Sequence, residues 1–263
     1  MKDKVDLDSW FSPRRMKRYN QQPHSVDLYV WNTRLSKAFL EDLEHIEVLL
    51  RNTINESLLP KYGDDWWSNG SLSLNDGTKR AVGKALNRGR KLGSTNIIPL
   101  VSFEFWRFLL VKYYQTTVWP LVRKNLAVQK LPLSDDTYIR VFFDRKTLDR
   151  KTFEEKVDSL LKLRNRCAHH EPLVKESLEE EYKGINNHCQ TIKSVSYLLN
   201  PAAAIWISQH SRIPEILAQR PDTPPETYAD LIQGYSSVST YYCLAQDLMD
   251  NAPFSGNIVF KGR

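Results

Sequence analysis

Residues 152–172 read TFEEKVDSLLKLRNRCAHHEP, and this stretch predicts a helix that ends in a cluster of polar side chains. Thr152 followed three residues later by Glu155 is a capping-box pattern, which indicates a helix start. Pro172 disfavours helical geometry at the residue before it, so the helix should end near residue 170. The apolar side chains recur at helical spacing and share one stripe. They are Phe153, Val157, Leu160, Leu161 and Ala168.

Three polar residues of this helix should lie together beside the core. At about 100° per residue, Arg164 falls near the middle of the apolar stripe. A buried guanidinium needs anionic or acceptor partners, so we expect Arg164 to turn toward polar groups. Asn165 and His169 are four residues apart and share one shoulder of the stripe. The alternative is a plain polar helix end, where Arg166 and His170 only interact favourably with the C-terminal dipole.

Helical patterns dominate the rest of the chain, so the sequence predicts an all-α fold. Ser12 and Pro13 form an N-cap followed by proline at the first helical position. The predicted helices cover residues 14–19, 26–62, 102–116, 119–126, 134–143, 176–199, 201–210 and 228–249. Only residues 258–260 have a strand-type pattern, and residues 212–225, which are rich in proline, predict a linker or irregular arm. We expect a helical domain at residues 1–211, with residues 212–263 packed on it as a C-terminal arm.

The composition is that of a globular protein with an ordinary core. The 263 residues are 41% hydrophobic and 26% charged, which disfavours a disordered chain. No apolar run approaches the ~18 residues of a membrane span, and the acidic start does not resemble a signal peptide. We therefore expect a cytoplasmic protein. The three cysteines, without a C-x-x-C pair, disfavour a disulfide framework and a zinc ribbon.

The net charge of +6 is modest, but residues 78–92 contain six basic side chains and no acidic one. Such a strip attracts nucleic acid. The alternative is a solvated helix face, which the sequence supports equally. The six residues are Lys79, Arg80, Lys84, Arg88, Arg90 and Lys91.

Residues 163–173, LRNRCAHHEPL, resemble the signature of Abi-family (abortive-infection) proteins. The spacing from Arg164 to His169 resembles the R-x4-6-H motif of the HEPN superfamily of RNases. Further segments that resemble the Abi family are residues 12–19, 31–39, 47–52, 62–67 and 102–106. The resemblance covers roughly residues 12–199.

The resemblance implies a HEPN-type helical bundle with additional helices, acting as a metal-independent endoribonuclease in phage defence or as a toxin. It implies a homodimer, an RNA substrate, no cofactor and no membrane, and a repressing RNA or protein antitoxin is a plausible partner. In such RNases a histidine moves protons, for which its unperturbed pKa is suited. An arginine, here Arg164, stabilises the charge on the phosphate oxygens, and Asn165 orients the imidazole or the phosphate. The product carries a 2′,3′-cyclic phosphate.

Two histidines compete for the catalytic role. His169 gives the x4 spacing from Arg164 and shares a shoulder with Asn165, whereas His170 gives the x5 spacing and lies four residues from Arg166. We favour His169.

A second shoulder pair occurs in the predicted helix 26–62, where Glu47 precedes Arg51 by four residues. Its plain interpretation is an exposed ion pair that contributes under ~1 kcal/mol. Its functional interpretation places Arg51 and Asn52 next to the motif helix, where they steer Arg164 or bind the RNA backbone.

Two rival functions remain open at this point. One is a catalytically silent RNA-binding or scaffold protein with the same fold. The other is a small-molecule hydrolase with Cys167 as nucleophile, although Cys167 falls toward the apolar side and is better explained as a core residue. The spacing in CAHHE (residues 167–171) is too tight for known zinc patterns.

Overall fold

The computed structural model describes residues 6–93, 96–126, 128–132, 138–142, 148–236 and 258–261. The helices in the first half of the chain are α1 (Leu7–Phe11), α2 (Pro13–Asn20), α3 (Ser25–Tyr62), α4 (Asp76–Leu92), α5 (Phe103–Phe108) and α6 (Trp119–Leu126). Two strands follow, β1 (Val128–Pro132) and β2 (Tyr138–Phe142). The later elements are α7 (Arg150–Ala168), α8 (Leu178–Leu199), α9 (Pro201–His210), α10 (Ile213–Leu217), α11 (Ala229–Ser236) and β3 (Ile258–Lys261). The prediction of an all-α fold is confirmed, and a small sheet accompanies the helices.

Helix α3 is the axis around which the other helices pack. Its 38 residues span about 57 Å, and α5, α6, α7, α8 and α10 all lie against it. Its buried residues recur at helical spacing, as the sequence predicts. They include Leu28, Leu35, Phe39, Leu43, Ile46, Leu50, Ile54 and Leu58. The helix ends at Gly63, whose φ of +79° suits a residue without a side chain.

The predicted helix 134–143 is wrong, because β2 occupies residues 138–142. Strand β2 pairs antiparallel with β1, with Val128 opposite Phe142, and with β3, with Tyr138 opposite Lys261. The β2 segment reads YIRVF, and these aromatic and β-branched types favour strands. Strand β3 confirms the strand-type pattern near the end of the chain.

The start of α7 also differs from the prediction. The cap is Asp149 rather than Thr152, because an Asp149 carboxylate oxygen accepts a hydrogen bond from the Thr152 backbone N–H at 2.9 Å. This bond, above all, lowers the pKa of Asp149 from its ordinary value. The predicted helix 102–116 is shorter than expected, since α5 is followed by a separate 3₁₀ turn, Lys112–Tyr114.

The segment predicted as a linker contains ordered structure. Helix α10 packs on α3, and the Trp31 indole N–H donates to the Ile216 carbonyl at 2.7 Å. A 3₁₀ turn, Pro225–Tyr228, leads into α11, and residues 237–249 of the predicted last helix lie outside the described residues. The boundary between residues 211 and 212 stays a prediction. None of the helices in the described ranges combines the length and apolar character needed to cross a membrane.

Candidate functional site

The C-terminal end of α7 presents two exposed imidazoles next to each other. The His170 N–H donates to the Cys167 carbonyl at 3.1 Å, and the Glu171 N–H donates to the Arg166 carbonyl at 2.9 Å. This pair of bonds is the Schellman motif, which requires a left-handed residue between them. That residue is His170, with φ +59°, where glycine is the usual choice. His169 is the C-cap residue, with φ −90° and ψ 7°.

The backbone that follows the histidines is held by side chains from the region of α2 and α3. The Asn32 side-chain oxygen accepts the N–H groups of Leu173 at 2.7 Å and Val174 at 3.3 Å. The Gln22 amide donates to the Lys175 carbonyl at 2.6 Å, so Asn32 of α3 and Gln22, which precedes α3, both hold this segment. The two histidines therefore lie between the end of α7 and a loop segment that is held by hydrogen bonds.

Arg164 is exposed, which corrects the expectation that it lies inside the apolar stripe. The buried stripe of α7 passes through Leu163 and Cys167 instead of Arg164 and Ala168. Both choices satisfy helical spacing after Leu160, and the helix turns so that the guanidinium stays in water, where it is not desolvated.

Arg164 lies beside the pair predicted from α3. Burial raises the pKa of Glu47, and the charges of Arg164 and then Arg51 act in the opposite direction. A backbone hydrogen bond from Phe103, the first residue of α5, also lowers the pKa of Glu47. The structure thus brings Glu47 together with Arg164 and Arg51 at the junction of α3, α5 and α7.

Two long hydrogen bonds complete this junction. Arg164 Nη1 donates to Asn165 Oδ1 at 3.4 Å, and Arg51 Nε donates to Asn52 Oδ1 at 3.4 Å. Both bonds lie beyond the usual range for N–H···O contacts, so the two guanidinium groups keep donors for other acceptors.

Both histidines line an open cleft of about 670 Å³, together with α2. The α2 side chains that line it are mostly basic, and their sequence pattern alone does not indicate a functional role. The lining residues are Ser12, Arg14, Arg15, Lys17, Arg18, Gln21, His169, His170, Glu171, Pro172 and Glu176. Ser12 has φ +73°, so two lining residues have left-handed φ values that are unfavourable for their residue types. Such strain is concentrated at functional sites.

Arg164 and Asn165 do not line the cleft that holds His169 and His170. Within one chain, the predicted catalytic arginine therefore belongs to the α3–α5–α7 junction, and the histidines belong to the cleft at the helix end.

All six basic residues of the predicted strip are exposed on α4, which is one continuous helix despite its internal glycines. Arg80, Lys84 and Arg88 recur every four residues and line a groove of about 390 Å³ with Ser102 and Glu104. Lys79, Arg90 and Lys91 do not line this groove. The groove reaches the start of α5, the helix whose first N–H binds Glu47.

Cys167 is buried, and desolvation raises the pKa of its thiol to about 11. A buried, protonated thiol is poorly suited to act as a nucleophile, so the structure favours the interpretation of Cys167 as a core residue. Within the described residues, no group of three or more His, Cys, Asp or Glu side chains is placed to hold a metal ion.

The chain was compared with known protein families, with curated proteins and with solved structures. A family model described as Abi-like protein matches residues 12–175, from the start of α2 to the segment that follows the two histidines. No curated protein and no solved structure matches the chain significantly. The matched range includes the cleft, the α3–α5–α7 junction and α4.

Proposed function

The chain belongs to the family of Abi-like proteins, and on that premise we propose that it is a metal-independent endoribonuclease of HEPN type. We propose further that it acts in phage defence by abortive infection or as a toxin. The observation that carries the proposal is the placement of two exposed imidazoles, His169 and His170, in an open cleft with the cations of α2. Exposed imidazoles suit proton transfer at a phosphodiester, and fixed cations in the same cleft suit binding of the polyanionic strand.

The reaction requires a proton acceptor, a proton donor and a cation near the phosphate, which histidine and arginine side chains can supply. One imidazole removes the proton of the ribose 2′-hydroxyl, and the resulting oxygen forms a bond to the neighbouring phosphorus. The bond from phosphorus to the 5′-oxygen breaks, and a protonated group gives that oxygen a proton. The products are a 2′,3′-cyclic phosphate and a 5′-hydroxyl. We assign the proton transfers to His169, with His170 as the second candidate.

Arginine suits the other half of this chemistry, because its fixed charge and planar donors match the phosphate oxygens on which charge builds up. Arg164 is exposed and uses one donor in a single long bond, so it has donors available for a phosphate. Asn165 lies between Arg164 and His169 along the helix and orients one of them.

A homodimer accounts for the separation of these groups within one chain. Arg164 does not line the cleft of His169 in its own chain, and pairing two α7 helices would bring the arginine of one copy to the histidine of the other. The test is complementation. The inactive variants Arg164→Ala and His169→Ala should recover activity when they are mixed and allowed to exchange subunits, and no recovery would contradict a shared site.

The proposal itself is tested by cleavage of a labelled single-stranded RNA in the presence of EDTA. The wild-type protein should cut it and leave 2′,3′-cyclic phosphate ends. His169→Ala and Arg164→Ala should each lower the rate at least a hundredfold. The matched controls are His210→Ala and Arg34→Ala, whose side chains are exposed on α9 and α3 and do not line the cleft.

Three outcomes would contradict parts of the proposal. Cleavage that persists in both α7 variants would exclude the assigned residues, provided that circular dichroism shows the variants folded. Binding without cleavage under all conditions would favour a catalytically silent RNA-binding or scaffold protein. Cleavage only after addition of a divalent metal would exclude the metal-independent reaction.

A further inference from the structure

Helix α2 turns a polar stripe toward the cleft and an apolar stripe toward the core. Arg14, Lys17, Arg18 and Gln21 are spaced three and four residues apart, and all four line the cleft. On the opposite side, Met16 and Tyr19 are each 1% exposed. The Tyr19 ring packs edge-on against Tyr29 of α3, with centroids 5.3 Å apart. The core contacts thus fix which side chains of α2 face the histidines.

The acidic residues of this cleft do not balance its cations. Glu171 pairs with Arg166 at 3.5 Å, and Glu176 pairs with Arg18 at 2.5 Å. In the part of the chain that the structure describes, no ion pair involves Arg14, Arg15 or Lys17, all of which are exposed.

Placing these cations together has a cost that a ligand would offset. Arg14 lies three residues from Lys17 and four from Arg18, and like charges at these spacings destabilise a helix by a few tenths of a kcal/mol per pair. Ser12, which precedes the helix, adds the strain of a left-handed φ. An anion in the cleft would remove the repulsion.

We propose that α2 binds the backbone phosphates of the RNA next to the phosphate that is cleaved at His169 and His170. The identity of the ligand as RNA rests on the proposed function. Arg14 and Arg18 are separated by about 6 Å along the helix axis, a spacing that lets them contact neighbouring phosphates of one strand. Cations that contact phosphates fix the register of a nucleic acid without reading its sequence.

The lining of the cleft gives the expected selectivity. Among the described lining residues there is no Phe, Tyr or Trp, the side chains on which bases stack. Binding at α2 should therefore depend on the phosphate charge and on salt, and little on base sequence.

The test uses the full chain and an RNA that cannot be cleaved, a fluorescein-labelled 20-nucleotide strand of mixed sequence with 2′-O-methyl groups throughout. Its affinity is measured by fluorescence anisotropy between 50 and 300 mM KCl. The variant Arg14→Ala/Arg15→Ala/Lys17→Ala should bind at least tenfold more weakly at 100 mM KCl. The slope of log affinity against log salt should fall by about 2, since each phosphate contact on a single strand contributes about 0.7.

The matched control is Lys37→Ala/Lys112→Ala/Lys124→Ala, which removes the same charge from exposed positions outside the cleft. Its affinity should stay within twofold of the wild type. The single variants Arg14→Gln and Lys17→Gln keep most of the side-chain length, and each should account for about a third of the change in slope. They serve as the test if the triple variant does not fold.

The proposal is overturned if the α2 variants bind with wild-type affinity and slope, if the control loses as much affinity, or if the wild type does not bind the strand. Cleavage of an unmodified strand separates this proposal from the proposed function. The α2 variant should raise KM and keep kcat. Binding through α2 without any cleavage would contradict the nuclease alone, and cleavage with α2-independent binding would contradict this inference alone.

Discussion

Arg220 and Arg164 are both arginines placed near a glutamate of another helix, and their surroundings are opposite. Arg220 is 7% exposed, and its Nε donates to Glu181 Oε1 at 2.6 Å. Its Nη2 donates to Glu181 Oε2 and to Gln22 Oε1, both at 3.2 Å. Its Nη1 donates to the Pro221 carbonyl at 3.0 Å and to Thr223 Oγ1 at 2.9 Å. Every N–H of this guanidinium is used within the protein.

Arg164 makes one long bond, to its neighbour Asn165, and is exposed to solvent. The charge of Arg164 lowers the pKa of Glu47, but no ion pair within 4.0 Å joins the two side chains in the described residues. A buried arginine whose donors are all used has a structural role, and Arg220 here connects the C-terminal arm to α8. An arginine whose donors face water at a helix junction is available to a ligand. Burial and the number of hydrogen bonds, rather than residue type, distinguish the structural Arg220 from Arg164, the candidate for ligand binding.

The largest effect should come from breaking the buried pair. Glu181→Ala leaves Arg220 charged and unpaired in the core, and we expect a loss of about 3–5 kcal/mol in the free energy of unfolding. Part of this loss comes from Tyr228, whose hydroxyl donates to Glu181 at 2.8 Å. Arg164→Ala, at the exposed site, should change stability by under ~0.5 kcal/mol. Urea denaturation followed by circular dichroism measures both, and equal effects of the two changes would invalidate the contrast between them.

A third polar group, His188 of α8, is half-buried and lacks a hydrogen bond at one ring nitrogen. Its Nδ1 has no hydrogen-bond partner within the described residues, and its ring packs edge-on against Phe39 at 6.1 Å. Burial, followed by the charges of Arg166 and Lys175, lowers the pKa of His188 from 6.5 to about 4. Below pH 6.5 the unfolded chain therefore takes up a proton that the folded protein does not.

The free energy of unfolding should therefore decrease as the pH falls from 6.5 toward 4, and the decrease should level off below pH 4. The expected loss is about 3 kcal/mol by pH 4. His188→Phe removes the titration, so the stability of this variant relative to the wild type should rise by that amount between pH 7 and pH 4. His210→Phe, at an exposed position, is the control. A difference that does not change with pH would show that folding leaves the pKa of His188 unchanged.

The next prediction concerns Asn32, which holds the segment that follows the two histidines. Asn32 is 3% exposed, and its side-chain oxygen satisfies two backbone N–H groups in the segment after His170. Asn32→Leu leaves both N–H groups buried without a partner, and we expect a loss of about 1–3 kcal/mol. Cleavage by the folded variant should also fall, because the segment that orients the histidines is loosened. Thr33→Ala, one residue away and half-buried, should do neither.

The parts of this molecule that sequence predicts are those with local causes. Helix α3 follows from apolar spacing within its own residues, and the end of α7 follows from Pro172. Arg164 was misplaced because two interleaved stripes fit the same spacing, and only packing against α3 and α8 selects the one through Leu163. Strand β2 was predicted as helix although its residues favour strands and its first partner, β1, is close in sequence, whereas its second partner, β3, lies more than 100 residues away.

The candidate site likewise contains one part that the sequence predicts and one part that it does not. The α7 residues were found because they are close in sequence and carry a recognisable spacing. The α2 cations were missed because they lie about 155 residues before the histidines, and nothing in the local pattern of either segment shows that they share a cleft. The basic character of α2 was visible in the sequence, but its partner was not.

The smallest effect concerns the strain at His170, a non-glycine residue with positive φ. With φ +59°, His170 occupies a position where a side chain costs about 1 kcal/mol relative to glycine. His170→Gly should therefore stabilise the protein by up to about 1 kcal/mol, whereas His170→Ala keeps the strain and should not. Both changes remove the imidazole. If the ring takes part in cleavage, the two variants lose activity equally although their stabilities differ. If only the backbone shape matters, both stay active, and His169 alone carries the proton transfers.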